Sequence, residues 1–238
     1  MTLVAKHYID EPYRGECEAR VTEVRGGQVF LSDTVFYPEG GGQVGDTGWV
    51  GESRIVDTQK VGGTPFAHPE FPDLIMINGD VGHRLAEDTA VPTVGAEVPV
   101  RIDWERRLRN MRHHSAAHLG FWFATTARPD LYTKGARIDG STARFDFHTR
   151  ERLTAEEVAE WEERANEVIA KDLEIHTVPV DGEHEARVWH SGDMVIPCGG
   201  THVRSTGEIG RVKLRRKRQG NQLERLYITI VELMDGDN

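Results

Sequence analysis

The spacing of apolar residues changes character near Pro99. Before it, apolar positions come in short runs broken by glycine: Ala19-Arg20-Val21-Thr22-Glu23-Val24 closed by Gly26-Gly27, then Gln28-Val29-Phe30-Leu31, Gly48-Trp49-Val50 and Arg54-Ile55-Val56. Alternation bounded by turn glycines predicts short β-strands, and the natural packing for several of them is a small barrel. Between Lys60 and Asp80, Gly62-Gly63 and the prolines Pro65, Pro69 and Pro72 interrupt any periodicity, which predicts an inserted loop.

Beyond Pro99 the period becomes helical. Trp104, Leu108, Met111, Ala116, Leu119 and Phe123 recur at helical spacings with no proline from Arg101 to Arg128, which predicts a helix of about 20 residues ending before Pro129. Thr154 and Glu157 form a candidate capping box for a second helix, whose buried face would carry Val158, Trp161, Ala165, Val168 and Ile169. Strands are expected at Ile175–Val180, Val212–Leu214 and Arg225–Ile230. The pattern predicts an α+β chain: residues 1–99 as a small β-barrel domain, and residues 100–238 as an α/β domain with long helices packed on a mainly antiparallel sheet.

Composition narrows the class. A chain of 238 residues with 38% hydrophobic and 29% charged residues reads as a globular enzyme, and no apolar run approaches the roughly 18 residues of a membrane span. No membrane role is expected. The first residues, Met1 to Tyr8, lack the pattern of a secretory signal, so a cytoplasmic location is expected. Cys17 and Cys198 alone do not make a disulfide framework.

The net charge of −10 opposes nonspecific binding to polyanions. It is unevenly spread, however. Between Arg204 and Arg225 stand eight basic residues against Glu208 and Glu224, centred on Arg215-Arg216-Lys217-Arg218, and five arginines fall between Arg101 and Arg112. A basic run is ordinarily a solvated surface; these two are also candidate contacts for nucleic-acid phosphates.

Two short motifs carry the chemistry. His114-Ser115-Ala116-Ala117-His118 places imidazoles at i and i+4, on one face of the first helix. Cys198-Gly199-Gly200-Thr201-His202 offers a thiolate and a third imidazole at the same spacing, with glycines that allow a tight turn around an ion. Either half alone is as well explained by surface or core polar residues. Together they point to one Zn2+ per chain, an ion that takes nitrogen and sulfur ligands together. His113 has Ala117 at i+4 and is read as a flank. Ser115 stands where a His-Glu-x-x-His metalloprotease has its glutamate, and no Walker phosphate loop is present.

These motifs resemble the zinc signature of the AlaX proteins and of the alanyl-tRNA synthetase editing domain. The resemblance extends to Asp103-Trp104-Glu105-Arg106-Arg107, to Val203-Arg204-Ser205-Thr206-Gly207-Glu208-Ile209-Gly210, and to the glycine-rich Phe36-Tyr37-Pro38-Glu39-Gly40-Gly41-Gly42-Gln43-Val44-Gly45-Asp46-Thr47-Gly48. It covers nearly the whole chain and is closest to the longer AlaX type with an N-terminal domain. The related editing domain of threonyl-tRNA synthetase typically has proline before its last histidine, where this chain has Thr201.

What the resemblance implies is hydrolysis of the ester that joins serine or glycine to the acceptor end of tRNA(Ala). His114, His118, Cys198 and His202 would hold the zinc, with three or four of them as ligands. Gly40, Gly41 and Gly42 would let backbone approach the acceptor end, and Arg215, Arg216, Lys217 and Arg218 would meet phosphates. Gln43 and Thr201 are the candidates for reading the serine hydroxyl or orienting the ester and its water. Gln43→Ala is accordingly expected to slow hydrolysis and leave zinc content intact. Two alternatives stay open: editing of another mischarged tRNA, such as a threonyl one, and a nonenzymatic RNA-binding module with a saturated structural zinc.

Overall fold

A computed structural model of the chain describes residues 4–69, 74–180 and 182–231. It is α+β, with almost every strand pair antiparallel; the short pair Ala5–Lys6 with Asp33–Thr34 is parallel. Among the described residues, no helix is long and apolar enough to cross a membrane.

In the N-terminal half, six strands hydrogen-bond around a closed ring: Glu97–Ile102, Glu16–Arg25, Gln28–Leu31, Asp80–Leu85, Ser53–Val61, Gly48–Val50, and back to Glu97–Ile102. Alternation turns Val21, Val29, Leu31, Val50, Ile55 and Val100 into the ring, where all are buried. The last ring strand runs through the boundary expected at 99/100 and leads into the first helix.

The loop expected from Lys60 to Asp80 is a correction. Strand Ser53–Val61 continues through Lys60, Thr64–Ala67 pairs antiparallel with Leu74–Ile77, and the chain re-enters the ring at Asp80. Pro65 sits opposite Met76 in a two-stranded ribbon, where open edges tolerate a missing donor. Phe66 and Ile75 pack on Val180, Ala186 and Val188. Pro72 lies outside the described residues.

Helix α1 spans Trp104–Ala127, capped by the Asp103 side chain accepting from the Arg106 N–H. Helix α2 spans Ala155–Ala170 and begins with the complete Thr154/Glu157 capping box. Both helices pack on one face of a four-stranded sheet ordered Tyr132–Ile138, Ala143–His148, Leu223–Ile230, Val212–Arg218. Met111, Leu119, Phe123, Trp161, Phe147, Leu226 and Ile228 fill the space between them. Gly120 lets α1 lie close to the sheet, since a Cβ there would meet Ile228 at 2.8 Å. Asn166 and Glu162 of α2 bond the backbone of Val212 and Leu214, covering an edge that would otherwise stay open. A second sheet, His176–Val180, Glu183–Ser191 and Met194–Pro197, leads into the Cys198 loop.

The ring is fastened to α1 by a buried ion pair. Arg107 is fully buried; its guanidinium pairs with Asp46 and donates to the carbonyls of Val35 (2.6 Å) and Pro12 (2.8 Å). Asp46 also accepts from the Tyr37 N–H at 2.7 Å. Arg106 donates to the Gly45 carbonyl and Arg112 to that of Ile209. These three arginines of the 101–112 run are therefore engaged in internal bonds.

Candidate metal centre and adjoining cleft

His114 and His118 lie one turn apart on α1, 2% and 6% exposed. The Cys198–His202 loop crosses over them. Gly200 makes the crossing possible: a Cβ on it would fall 2.3 Å from His114 Cε1, so any larger residue would push the ring or the loop away. One ligand atom from each of His114, His118, Cys198 and His202 lies within 4.8 Å of every other, the only such group found among the described residues. His118 Nε2 is 3.0 Å from His202 Nε2, and Cys198 Sγ is 3.4 Å from His114 Nε2 and 3.6 Å from His202 Nε2. Around a tetrahedral zinc, with bonds of about 2.0–2.3 Å, neighbouring donors stand roughly 3.3–3.7 Å apart. The two sulfur–nitrogen spacings fall in that range, and the nitrogen–nitrogen spacing of 3.0 Å is slightly shorter.

Electrostatics agrees with that fit. Burial lowers the His114 pKa to about 3 and holds those of His118 and His202 well below the ordinary imidazole value, so all three are in the neutral, ligating form. Burial also pushes the Cys198 thiol up to about 12, against the Gly200 N–H that favours the thiolate; a bound cation would favour it further. Three neutral imidazoles and a sulfur facing one another, with Trp189 packed on the His118 ring, form a donor set that is costly without a cation and complete with one.

The glycine-rich segment closes from behind. Gly40 and Gln43 exchange backbone bonds in a tight turn, with Gly41 and Gly42 at φ 57° and 86°. The turn is bonded to strand Tyr132–Ile138 through Ile138 N–H to Gly42 O (2.7 Å) and Val44 N–H to Ile138 O (3.0 Å). Gln43 is fully buried, and its side chain is occupied: Oε1 accepts from His114 Nδ1 at 2.7 Å and from the Thr201 N–H at 3.2 Å, while Nε2 donates to Thr201 Oγ1 at 2.8 Å. This bond places the His114 proton on Nδ1 and leaves Nε2 free for a metal.

Gln43 sits behind His114 with Oε1 and one N–H of Nε2 bonded, so its removal acts on the ligand ring as well as on any contact it makes with an ester. Gln43→Ala should therefore weaken zinc binding by about 10–100-fold, measured by chelator competition, whereas Gln43→Glu, which keeps an acceptor, should retain the metal. Wild-type affinity in Gln43→Ala would remove the positioning role. Thr201 is 2% exposed beside it.

His113 lies off the cluster, its Nδ1 donating to the Arg109 carbonyl at 3.0 Å. In front of the cluster opens a cleft of about 590 Å³ whose lining includes Tyr13, His176, Arg187, Gly200, His202 and Arg204. Tyr13 hydrogen-bonds Glu208 and accepts from the Arg204 N–H, and the Arg204 guanidinium stands 3.9 Å over its ring. No motif marks Tyr13 or Arg187, which reach the cleft from opposite ends of the chain. Arg204 belongs both to the motif following His202 and to the start of the basic run.

Arg204 is the member of the basic run that lines this cleft; the central cluster Arg215 to Arg218 is not part of its lining. The cluster lies on the edge strand Val212–Arg218, and alternation divides it: Arg215 and Lys217 stand opposite Tyr227 and Arg225, while Arg216 and Arg218 stand opposite Leu226 and Glu224, on the other side.

The model of the threonyl and alanyl tRNA synthetase second additional domain matches residues 186–227, which include Cys198 and His202. A wider match runs to alanine–tRNA ligases: 38% identity over 231 residues with that of Ignicoccus hospitalis, covering 86% of this chain and 23% of the ligase. The ligases of Methanococcus aeolicus (30% over 246 residues, 93% and 25%) and Pyrococcus abyssi (31% over 253 residues, 94% and 26%) match similarly. Along most of its length the chain is thus similar to one segment of alanine–tRNA ligases. It spans about a quarter of the length of these relatives. In this chain the matched domain supplies the Cys198 loop and the basic strand, while α1 supplies the other two candidate ligands.

Proposed function

We propose that the protein is a zinc-dependent editing hydrolase that removes serine or glycine from mischarged tRNA(Ala). The observation that carries this reading is the placement of Gly200 and His202, which belong both to the metal-ligand loop and to the wall of an open cleft. Kinship with alanine–tRNA ligases supports the choice of tRNA.

A bound zinc would supply Lewis acidity or a water of lowered pKa at that wall. The chain's own groups do the rest. Arg204 brings positive charge to the cleft, suited to the phosphates of a terminal nucleotide, while Arg187 beside it is paired with Asp10 at 3.3 Å. Gln43 holds His114 in one tautomer. Thr201 Oγ1 accepts from Gln43, and its own hydroxyl hydrogen has no acceptor among the described residues. Thr201 and Gln43 are the groups we propose for reading a serine hydroxyl, which alanine would leave unpaired; the substrate must then reach past the cleft wall at Gly200 and His202 to these buried side chains.

The test is single-turnover deacylation by zinc-loaded protein of seryl-, glycyl- and alanyl-tRNA(Ala), with seryl-tRNA(Thr) alongside. Seryl-tRNA(Ala) should be cleared at least about 100-fold faster than the alanyl ester. Preference for seryl-tRNA(Thr) would move the assignment to threonyl-type editing. The presence of four donors within reach of one ion favours a second reading, a saturated structural zinc in an RNA-binding module; tRNA binding with no ester cleavage would establish it.

A further inference from the structure

The four-stranded sheet has a second face, which the helices do not cover. Residues Ala143, Phe145, Leu226, Ile228, Val212 and Leu214 point toward α1 and α2 and are buried. Their strand neighbours project the opposite way. On that outer side, cross-strand register aligns Arg137, Arg144, Tyr227 and Arg215 in one row spanning all four strands. The next row is Asp146, Arg225 and Lys217. Five cations thus face outward, against Asp146 within the rows and Asp139, which pairs with Arg137 at 3.5 Å, in a protein whose net charge is −10.

Three of the five cations have a holding partner, Arg137 through Asp139. Arg215 lies 5.1 Å and Arg225 5.8 Å from the centre of the Tyr227 ring. Asp146 grips Arg225 through both oxygens, with Nη2 to Oδ2 at 2.9 Å. With strands about 4.8 Å apart, the four-residue row extends about 14 Å. A flat, arginine-rich surface of this kind matches phosphodiester oxygens, which guanidinium forks bind in pairs, and its ordered side chains lose little freedom on binding.

We propose that this outer sheet face is an RNA contact separate from the metal cleft, taking the phosphate backbone of the tRNA body. The proposal rests on the tRNA-editing reading. His114 and His118 lie on α1, across the sheet from these arginines, and a helix is itself roughly 10 Å thick. The face therefore cannot touch the reacting ester, and it acts on affinity for the whole tRNA.

The experiment compares the zinc-loaded wild type with Arg144→Gln/Arg215→Gln. A control, Arg25→Gln/Arg84→Gln, removes the same charge from the exposed barrel surface. Anisotropy titrations with uncharged tRNA(Ala) across a range of KCl should show the sheet variant binding about 10-fold more weakly near 0.1 M salt, with its log–log salt slope smaller by about 1.5–2. The control should bind as wild type. In deacylation, the sheet variant should raise KM for seryl-tRNA(Ala) and leave hydrolysis of a seryl ester of the CCA trinucleotide unchanged. Wild-type affinity and slope in the sheet variant would overturn the proposal, as would equal losses on whole tRNA and trinucleotide, or equal weakening by the control. The binding arm uses uncharged tRNA, so it decides the proposal even if no ester is cleaved and the editing reading fails.

Discussion

Cys198→Ala and His118→Ala proteins are expected to purify nearly metal-free, against about one zinc per chain in the wild type, and to hydrolyse seryl-tRNA(Ala) at least about 100-fold more slowly. Each substitution removes one donor from a group already held within 4.8 Å. Cys198 matters most for charge. It is the one group of the four that ligates as an anion, and burial alone drives it toward the neutral thiol. Without it, three neutral imidazoles must hold a dication with no compensating charge, in a site walled by Trp189. Metal analysis by mass spectrometry, together with single-turnover rates, reads both effects. Circular dichroism separates metal loss from unfolding. Full zinc occupancy in both variants would end the ligand assignment; loss of zinc with an unchanged rate would keep the ligands and remove the metal from the chemistry.

Arg107→Ala should lower stability by about 3–5 kcal/mol, because it strands a buried carboxylate. Asp46 is 0% exposed and keeps only the Tyr37 N–H once the guanidinium is gone, while the carbonyls of Val35 and Pro12 lose their donor. For a chain of this size that is a fall in melting temperature of roughly 6–20 °C. The same joint fixes the ring against α1, and the glycine-rich segment that contains Asp46 also supplies Gln43. Zinc affinity should therefore fall along with stability. Replacing both partners, as Arg107→Met/Asp46→Leu, should recover much of the stability, since no charge is then left buried alone. A loss below about 1 kcal/mol in Arg107→Ala would mean that water or a neighbouring group reaches Asp46.

The sequence by itself determined the features whose causes are local. Helical spacing from Trp104 onward and the stop at Pro129 bounded α1, observed as Trp104–Ala127. Thr154 and Glu157 marked the start of α2, because a capping box is a contact between residues three apart. His114 with His118, and Cys198 with His202, were legible as candidate ligands for the same reason: spacing of four and two flexible glycines set which atoms can converge.

What remained belonged to long-range packing. Strands Tyr132–Ile138 and Glu183–Ser191 were not read from the chain, since pairing with distant partners, rather than their own pattern, holds them extended. The strands Thr64–Ala67 and Leu74–Ile77 form where a loop is expected, because prolines and glycines that break central strands are tolerated where edges are open. Register alone split Arg215 and Lys217 from Arg216 and Arg218, and gathered Arg137 and Arg144 to the first pair. Only tertiary structure set Gln43 behind His114, 71 positions away, and turned Arg107 from a presumed surface charge into a buried tie. Local sequence fixes which φ/ψ a segment prefers and which atoms lie one turn apart; the partner of a buried polar atom is set by chain closure and by the requirement that no such atom go unpaired.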